Sequence, residues 1–135
     1  MGLDNSIMIK RNEYSNKIQN VLKPFVMDFD IENKWNFEVC YWRKCWNIRD
    51  GIANVIEGIC DNDSTRLNID NIKDIISLLK KYNKKNWEVG GGWSGSIWTW
   101  EEHKKSNKKH IKNLKLLYRL MKKYPELEVY FYDSY

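Results

Sequence analysis

Trp42, Arg43, Lys44 and Trp46 fall within five residues. Aromatic rings beside cations suit three tasks. They stack a nucleobase, they hold a single strand of nucleic acid, or they anchor a protein–protein contact. If residues 42–59 form a helix, Trp42 and Trp46 are i, i+4 neighbours on one face. Trp98 and Trp100 alternate as on a strand, with Trp93 nearby after Gly90-Gly91-Gly92. The expected partner- or ligand-binding residues are therefore Trp42, Arg43, Lys44, Trp46, Trp93 and Trp98. The competing reading is that such rings fill a core, as large aromatics usually do. Of the seven tryptophans, three or four are expected in the core and two or three outside it.

A second cationic feature lies in 103–123, which holds nine Lys or Arg and no acid. Lys104, Lys108, Lys112, Lys115 and Arg119 recur at helical spacing and form a candidate nucleic-acid-facing row. The plainer reading is a solvated helix face. With Arg119 as the only arginine, any nucleic-acid contact would be to phosphates and non-specific.

The remaining chemistry is thin. His103 and His110 are seven residues apart, two turns or ~10.5 Å along a helix, too far to chelate one ion. Asp61-x-Asp63-x-Thr65 imitates the start of a calcium loop, but Leu67 and Ile72 occupy positions where ligands belong, and the central glycine is missing. The same triplet imitates a phosphatase nucleophile motif, yet only 70 residues follow it, so it reads as a polar turn. The stretch 90–96 could cradle a phosphate on backbone N–H groups but lacks the G-K-[ST] of a P-loop. Glu101 and Glu102 open a helix, where they favour its dipole. Cys40, Cys45 and Cys60 contain no C-x-x-C pair and read as free thiols in a reducing compartment. No catalytic residue, metal or cofactor is assigned.

The elements that must position these residues follow from periodicity. Leu3–Lys10 reads as a strand and Ser15–Leu22 as a short helix stopped by Pro24. Phe25–Asn36 has no clear pattern. Trp42–Ile59 reads as a helix with Ile48, Ile52, Val55, Ile56 and Ile59 inward. Gly51 within it costs ~1 kcal/mol against alanine, which implies a close packing contact. Leu67 and Ile69 form a short extended piece. Asp70 caps a helix over 71–82, and Trp87–Trp98 reads as glycine-hinged strand. Thr99-Trp100-Glu101-Glu102 matches a capping box and opens a helix over 100–123. Leu127–Tyr132 alternates as a last strand. The expected fold is a single α+β domain over 1–135. It is a small, mostly antiparallel sheet of about four strands packed against three main helices, with the first and last strands adjacent.

Composition narrows the context. A chain of 135 residues is one domain's worth and too short for a (β/α)₈ barrel. There are 18 Lys to 5 Arg, 15 Asn, 14 Ile and one alanine, Ala53, a bias expected of a low-GC bacterial or viral genome. The net charge of +5 is uneven. Residues 1–60 balance eight basic against eight acidic side chains, and all of the excess lies in 61–135. With no signal-peptide pattern and no spanning apolar run, the expected location is cytoplasmic, in a bacterial host cytosol.

Three patches together resemble a family of small uncharacterised proteins carried by bacteriophages and prophages. They are the opening Met1-Gly2-Leu3-Asp4, the Tyr41-Trp42-Arg43-Lys44 junction, and Gly95-Ser96-x-Trp98-x-Trp100-Glu101-Glu102. The family pattern continues after the junction with an Asn and then a His. Here Asn47 is near the first, but Arg49 stands where the His belongs, so a His-dependent role would be lost. The resemblance implies a viral setting and no activity. The expected function is that of a non-enzymatic phage-type accessory protein. It would bind and inhibit a host protein or ribonucleoprotein complex, such as a defence effector, in an anti-CRISPR-like manner. The alternative is a sponge that sequesters a small signalling nucleotide. No membrane partner is expected, and the aromatic load is compatible with a homodimer.

Overall fold

The structure, a computed structural model, describes residues 3–25, 36–60, 62–89 and 98–134. Ten elements follow one another among the described residues. They are β1 (Asp4–Ile9), α1 (Glu13–Lys17), a 3₁₀ turn (Lys23–Phe25), β2 (Phe37–Arg43), α2 (Trp46–Val55), β3 (Ser64–Leu67), α3 (Ile69–Lys81), α4 (Lys84–Val89), α5 (Trp100–Lys123) and β4 (Val129–Ser134). The strands form one antiparallel sheet in the order β2-β1-β4-β3. The α+β architecture is as expected, and the first and last strands are the two central ones.

Strand alternation divides the sheet into two faces. Asn5, Ile7 and Ile9 of β1 stand opposite Asp133, Phe131 and Val129 of β4, and all six are buried. The other face carries Met8, Tyr41, Tyr130 and Tyr132, none of them fully buried. The β1–β2 register shifts between Ile7 and Met8, which leaves Val39 as an extra residue in β2. Such a bulge lets consecutive residues turn inward, and both Val39 and Cys40 are buried. Asn113 of α5 donates through Nδ2 to the Val39 carbonyl at 3.0 Å, which ties the long helix to this edge of the sheet.

Helix ends obey local chemistry. Thr99 and Glu102 form the expected capping box on α5. Two further boxes, Asn12 with Ser15 and Asn68 with Asn71, start α1 and α3. The cap of α3 is therefore Asn68 rather than Asp70, and its helix starts two residues earlier than expected. Gly51 does mark a close approach. A Cβ there would stand 2.6 Å from the Tyr82 hydroxyl and 3.1 Å from Leu78.

Three expectations need correction. Trp42 belongs to β2, paired with Asn5, and α2 begins only at Trp46. The break between them is Lys44, whose φ of 53° is left-handed. Trp87–Val89, expected to begin a strand, instead close helix α4 (Lys84–Val89), with an Asn83/Asn86 side chain–backbone exchange at its start. The short helix after β1 lies at Glu13–Lys17, earlier than expected, because Asn12 caps it. Among the described residues no helix is long and apolar enough to cross a membrane.

Candidate functional site

The β2–α2 junction is built by tryptophans acting as hydrogen-bond donors. Trp98 Nε1 donates to the Arg43 carbonyl at 2.8 Å. Trp87 Nε1 donates to the Trp98 carbonyl at 2.7 Å, and Asn47 Nδ2 to the Trp87 carbonyl at 2.7 Å. The Tyr82 hydroxyl completes the chain by donating to the Asn47 carbonyl at 2.9 Å. This relay pins the start of α5 to the end of β2. The Trp87 ring also stacks on His103, with centroids 4.0 Å apart and planes within 10°.

Between α5 and the outer edge of β2 the relay leaves a cavity of about 290 Å³. Tyr41, Trp42, Arg43, Trp98, His103 and His110 contribute to its walls, with Glu102 and Ser106 on the helix side. A second groove of about 370 Å³ continues along the same seam. It shares Tyr41, Ser106 and His110 with the first and adds Lys109 and Asn113. Tyr41 and Trp98 are the large rings left open, 43% and 37% exposed.

Three buried ring nitrogens in these walls have no hydrogen-bond partner among the described residues: Trp42 Nε1, His103 Nε2 and His110 Nδ1. Their residues are only 2%, 4% and 8% exposed. A buried polar group without a partner costs about 1–3 kcal/mol, so native folds keep few of them. All three atoms are closed off from solvent by the packing around them. Burial brings both histidines down from 6.5 to about 4. In His110 the neighbouring His103 and Lys109 add to that effect. Both imidazoles are neutral at pH 7, and each can then donate at one nitrogen and accept at the other.

The expected contact residues divide. Trp42 is core: its ring packs edge-on against His110 at 4.9 Å and cannot be presented to a macromolecule. The helical Trp42/Trp46 pair does not exist, since the two residues lie in different elements. Arg43 is exposed at the rim, Lys44 and Trp46 are half-buried, and Trp98 is exposed. Trp93 and the glycine stretch 90–96 lie outside the described residues. Lys104, Lys108, Lys112, Lys115 and Arg119 are all exposed along α5. Lys104 also meets Glu101 at 3.3 Å.

Other sequence features have structural roles. Asp63 accepts from the Ser64 amide and Thr65 from the Cys60 amide, as a polar turn requires. Burial raises the Cys40 thiol well above its usual range and the Cys45 thiol to about 12. Both are held as thiols at neutral pH, and the thiolate is the nucleophilic form. Arg49 binds the buried Asp133 carboxylate through Nε at 3.3 Å and Nη2 at 3.2 Å. Asn5 Nδ2 and the Asn62 amide complete that carboxylate's shell at 2.7 and 3.1 Å. Among the described residues no cluster of three or more His, Cys, Asp or Glu could hold a metal ion.

The helical phase of His103 and His110 marks them as core residues. His103, Asn107, His110, Leu114 and Leu117 recur every three or four residues, so the two histidines continue the apolar stripe of α5. No protein-family model, curated protein or solved structure matches the chain.

Proposed function

We propose that this chain is a non-enzymatic accessory protein of phage type that binds a host factor and inhibits it by occlusion. The observation that carries the reading is the cationic face of α5. Lys108, Lys112, Lys115 and Arg119 are exposed on a helix of 24 residues, about 36 Å long. No acid follows Glu102 until the helix has ended.

The sign of this face restricts the partner. Proteins that hold nucleic acid do so with basic channels, which a lysine row repels. The complementary surfaces are an acidic protein patch or nucleic acid carried by a ribonucleoprotein. A defence effector loaded with guide RNA offers the second, and an anti-CRISPR-like role is the form of inhibition we favour. The likeness of the Tyr41–Lys44 and Trp98–Glu102 patches to phage proteins supports the setting.

The test has two arms. A labelled single-stranded RNA is titrated with the protein at several salt concentrations, and phage plating is scored on a CRISPR-immune host that expresses the chain. We expect salt-sensitive RNA binding with a slope of about 0.7 per phosphate neutralised, together with restored plating. The triple variant Lys108→Glu, Lys112→Glu, Lys115→Glu should lose both. If the wild-type chain binds no RNA and leaves plating unchanged, the reading falls.

A further inference from the structure

We propose that the open face of the sheet is the contact surface of a homodimer, in which two copies of this chain pair sheet to sheet about a two-fold axis running along the strands. This surface is separate from the lysine face and does not depend on the host-factor reading.

The open face lies opposite α5. The long helix packs against the other face, where Trp42 meets His110. Met8, Tyr41, Tyr130 and Tyr132 stand on the open side, and none is fully buried. An antiparallel sheet with one face in water normally covers it with ordinary polar side chains. This chain has 18 lysines, yet its four strands carry none. The open face instead shows three tyrosines, a methionine and the exposed Arg43 and Arg66. Tyrosine, methionine and arginine are enriched at protein interfaces, and lysine is depleted there. The rings are also held in place. The Tyr41 hydroxyl donates to Asp4 at 2.8 Å, that of Tyr130 donates to Glu128 at 3.0 Å, and that of Tyr132 accepts from Asn36 at 3.0 Å. Ordered side chains lose little freedom on docking.

The register makes this face complementary to itself. Across β2-β1-β4-β3, one row reads Tyr41, Ser6, Tyr132, Ser64 and the next reads Glu38, Met8, Tyr130, Arg66. A two-fold axis between β1 and β4 reverses each row in the second copy. Each tyrosine of the first row then faces a serine of the second copy. In the next row Met8 faces Tyr130, and Glu38 faces Arg66. Beyond them Lys10, whose amide binds the Glu128 carbonyl at 2.8 Å, exchanges places with Glu128. None of these pairs sets like charges together. Packed sheets cross at about 30°, which displaces the outer strands by about 4 Å. The long side chains of Glu38 and Arg66 span that offset. Arg66 already meets its own Glu128 at 3.5 Å, and its side chain remains 57% exposed. The charged pairs therefore lie on the edge strands, and the centre is Met8, Tyr130 and Tyr132, the arrangement of a polar rim around an apolar middle.

Net charge favours this face over any other for self-association. The chain carries +5, and two copies repel unless their lysine rows stand apart. Sheet-to-sheet pairing puts the two α5 helices on the outer sides of the dimer. Single-stranded nucleic acid also stacks on tyrosine, but on this face its phosphates would meet Asp4, Glu38 and Glu128.

Sedimentation equilibrium from about 1 μM to 1 mM tests the proposal. The mass should rise with concentration from 16.3 kDa to twice that value. Arg66→Glu and Glu38→Arg each set like charges against each other at two symmetry-related contacts. Each variant alone should self-associate about tenfold or more weakly than wild type. An equal mixture of the two should dimerise again, because every such contact then joins opposite charges, and a folding defect would not be repaired by mixing. The triple lysine variant of α5 should dimerise like wild type. The proposal is overturned if wild type stays monomeric throughout, if both charge variants dimerise like wild type, or if their mixture stays monomeric. A monomer whose Tyr132→Ala variant loses affinity for single-stranded RNA would assign the face to nucleic acid and overturn it as well.

Discussion

Lowering the pH from 7 to 5 should weaken this fold by about 4 kcal/mol through two imidazoles alone. His103 and His110 are 4% and 8% exposed, and desolvation is the main reason that each drops from 6.5 to about 4. The direction follows from linkage. A histidine whose proton affinity is lower in the folded state binds protons more tightly when the chain unfolds. The stability it contributes is complete above about pH 6.5 and is lost as the pH falls toward 4. At pH 5 the unfolded imidazole is almost fully protonated and the folded one is almost fully neutral. That difference is worth about 2 kcal/mol for each histidine. Against a typical domain stability of about 5–15 kcal/mol, a combined loss of this size is easily measured.

Urea denaturation at both pH values, on wild type and on the double variant His103→Gln, His110→Gln, isolates the effect. Carboxylates also shape the acid limb. Glu102 and Glu128 are held below the usual range by their hydrogen bonds, so their contribution is present at neutral pH and is lost on acidification. They are common to both proteins and cancel in the comparison. Wild type should lose about 4 kcal/mol more than the double variant between pH 7 and 5. Equal losses in the two proteins, or imidazole proton signals that titrate near 6.5 in the folded state, would refute the assignment of these rings to a dry wall.

Two further perturbations probe the frame around the site. Gly51→Ala should destabilise by about 1–3 kcal/mol despite the helix propensity it gains, because its Cβ would fall 2.6 Å from the Tyr82 hydroxyl. In a Tyr82→Phe background the penalty should shrink, and a thermal double-mutant cycle that proved additive would exclude the clash. Arg49→Met should cost about 3–5 kcal/mol by stranding the Asp133 carboxylate, which is wholly buried. Adding Asp133→Asn should return part of that loss in chemical denaturation, and no recovery would show that the charge is not the cause.

The legible parts of this fold were those in which one local signal coincides with one element. The Thr99–Glu102 box and the apolar period through Leu114, Leu117 and Met121 specify α5 without help from the rest of the chain. The Ile72, Ile75 and Leu79 stripe does the same for α3. The strand β2 was hidden because its bulge breaks the alternation at Val39 and Cys40, and because the apolar period of α2 can be extended backwards past Trp46. Lys44 decides the matter, and a lysine in a left-handed conformation carries no reliable sequence mark.

That single misplacement accounts for most of what was illegible in the candidate site. With Trp42 on a helix, its ring and that of Trp46 form an outward pair, and the cations between them make a docking surface. With Trp42 on β2, its ring turns under α5 and meets His110 edge-on, while Arg43 stays at the surface. The same residues then describe the wall and rim of a cavity. The histidines belong to that wall for the same reason. The α5 stripe that is apolar at Leu114 and Leu117 is imidazole at His103 and His110, and there it packs on indole rings, His103 on Trp87 and His110 on Trp42. That end is where the tryptophan relay pins α5 to β2 and leaves space between them.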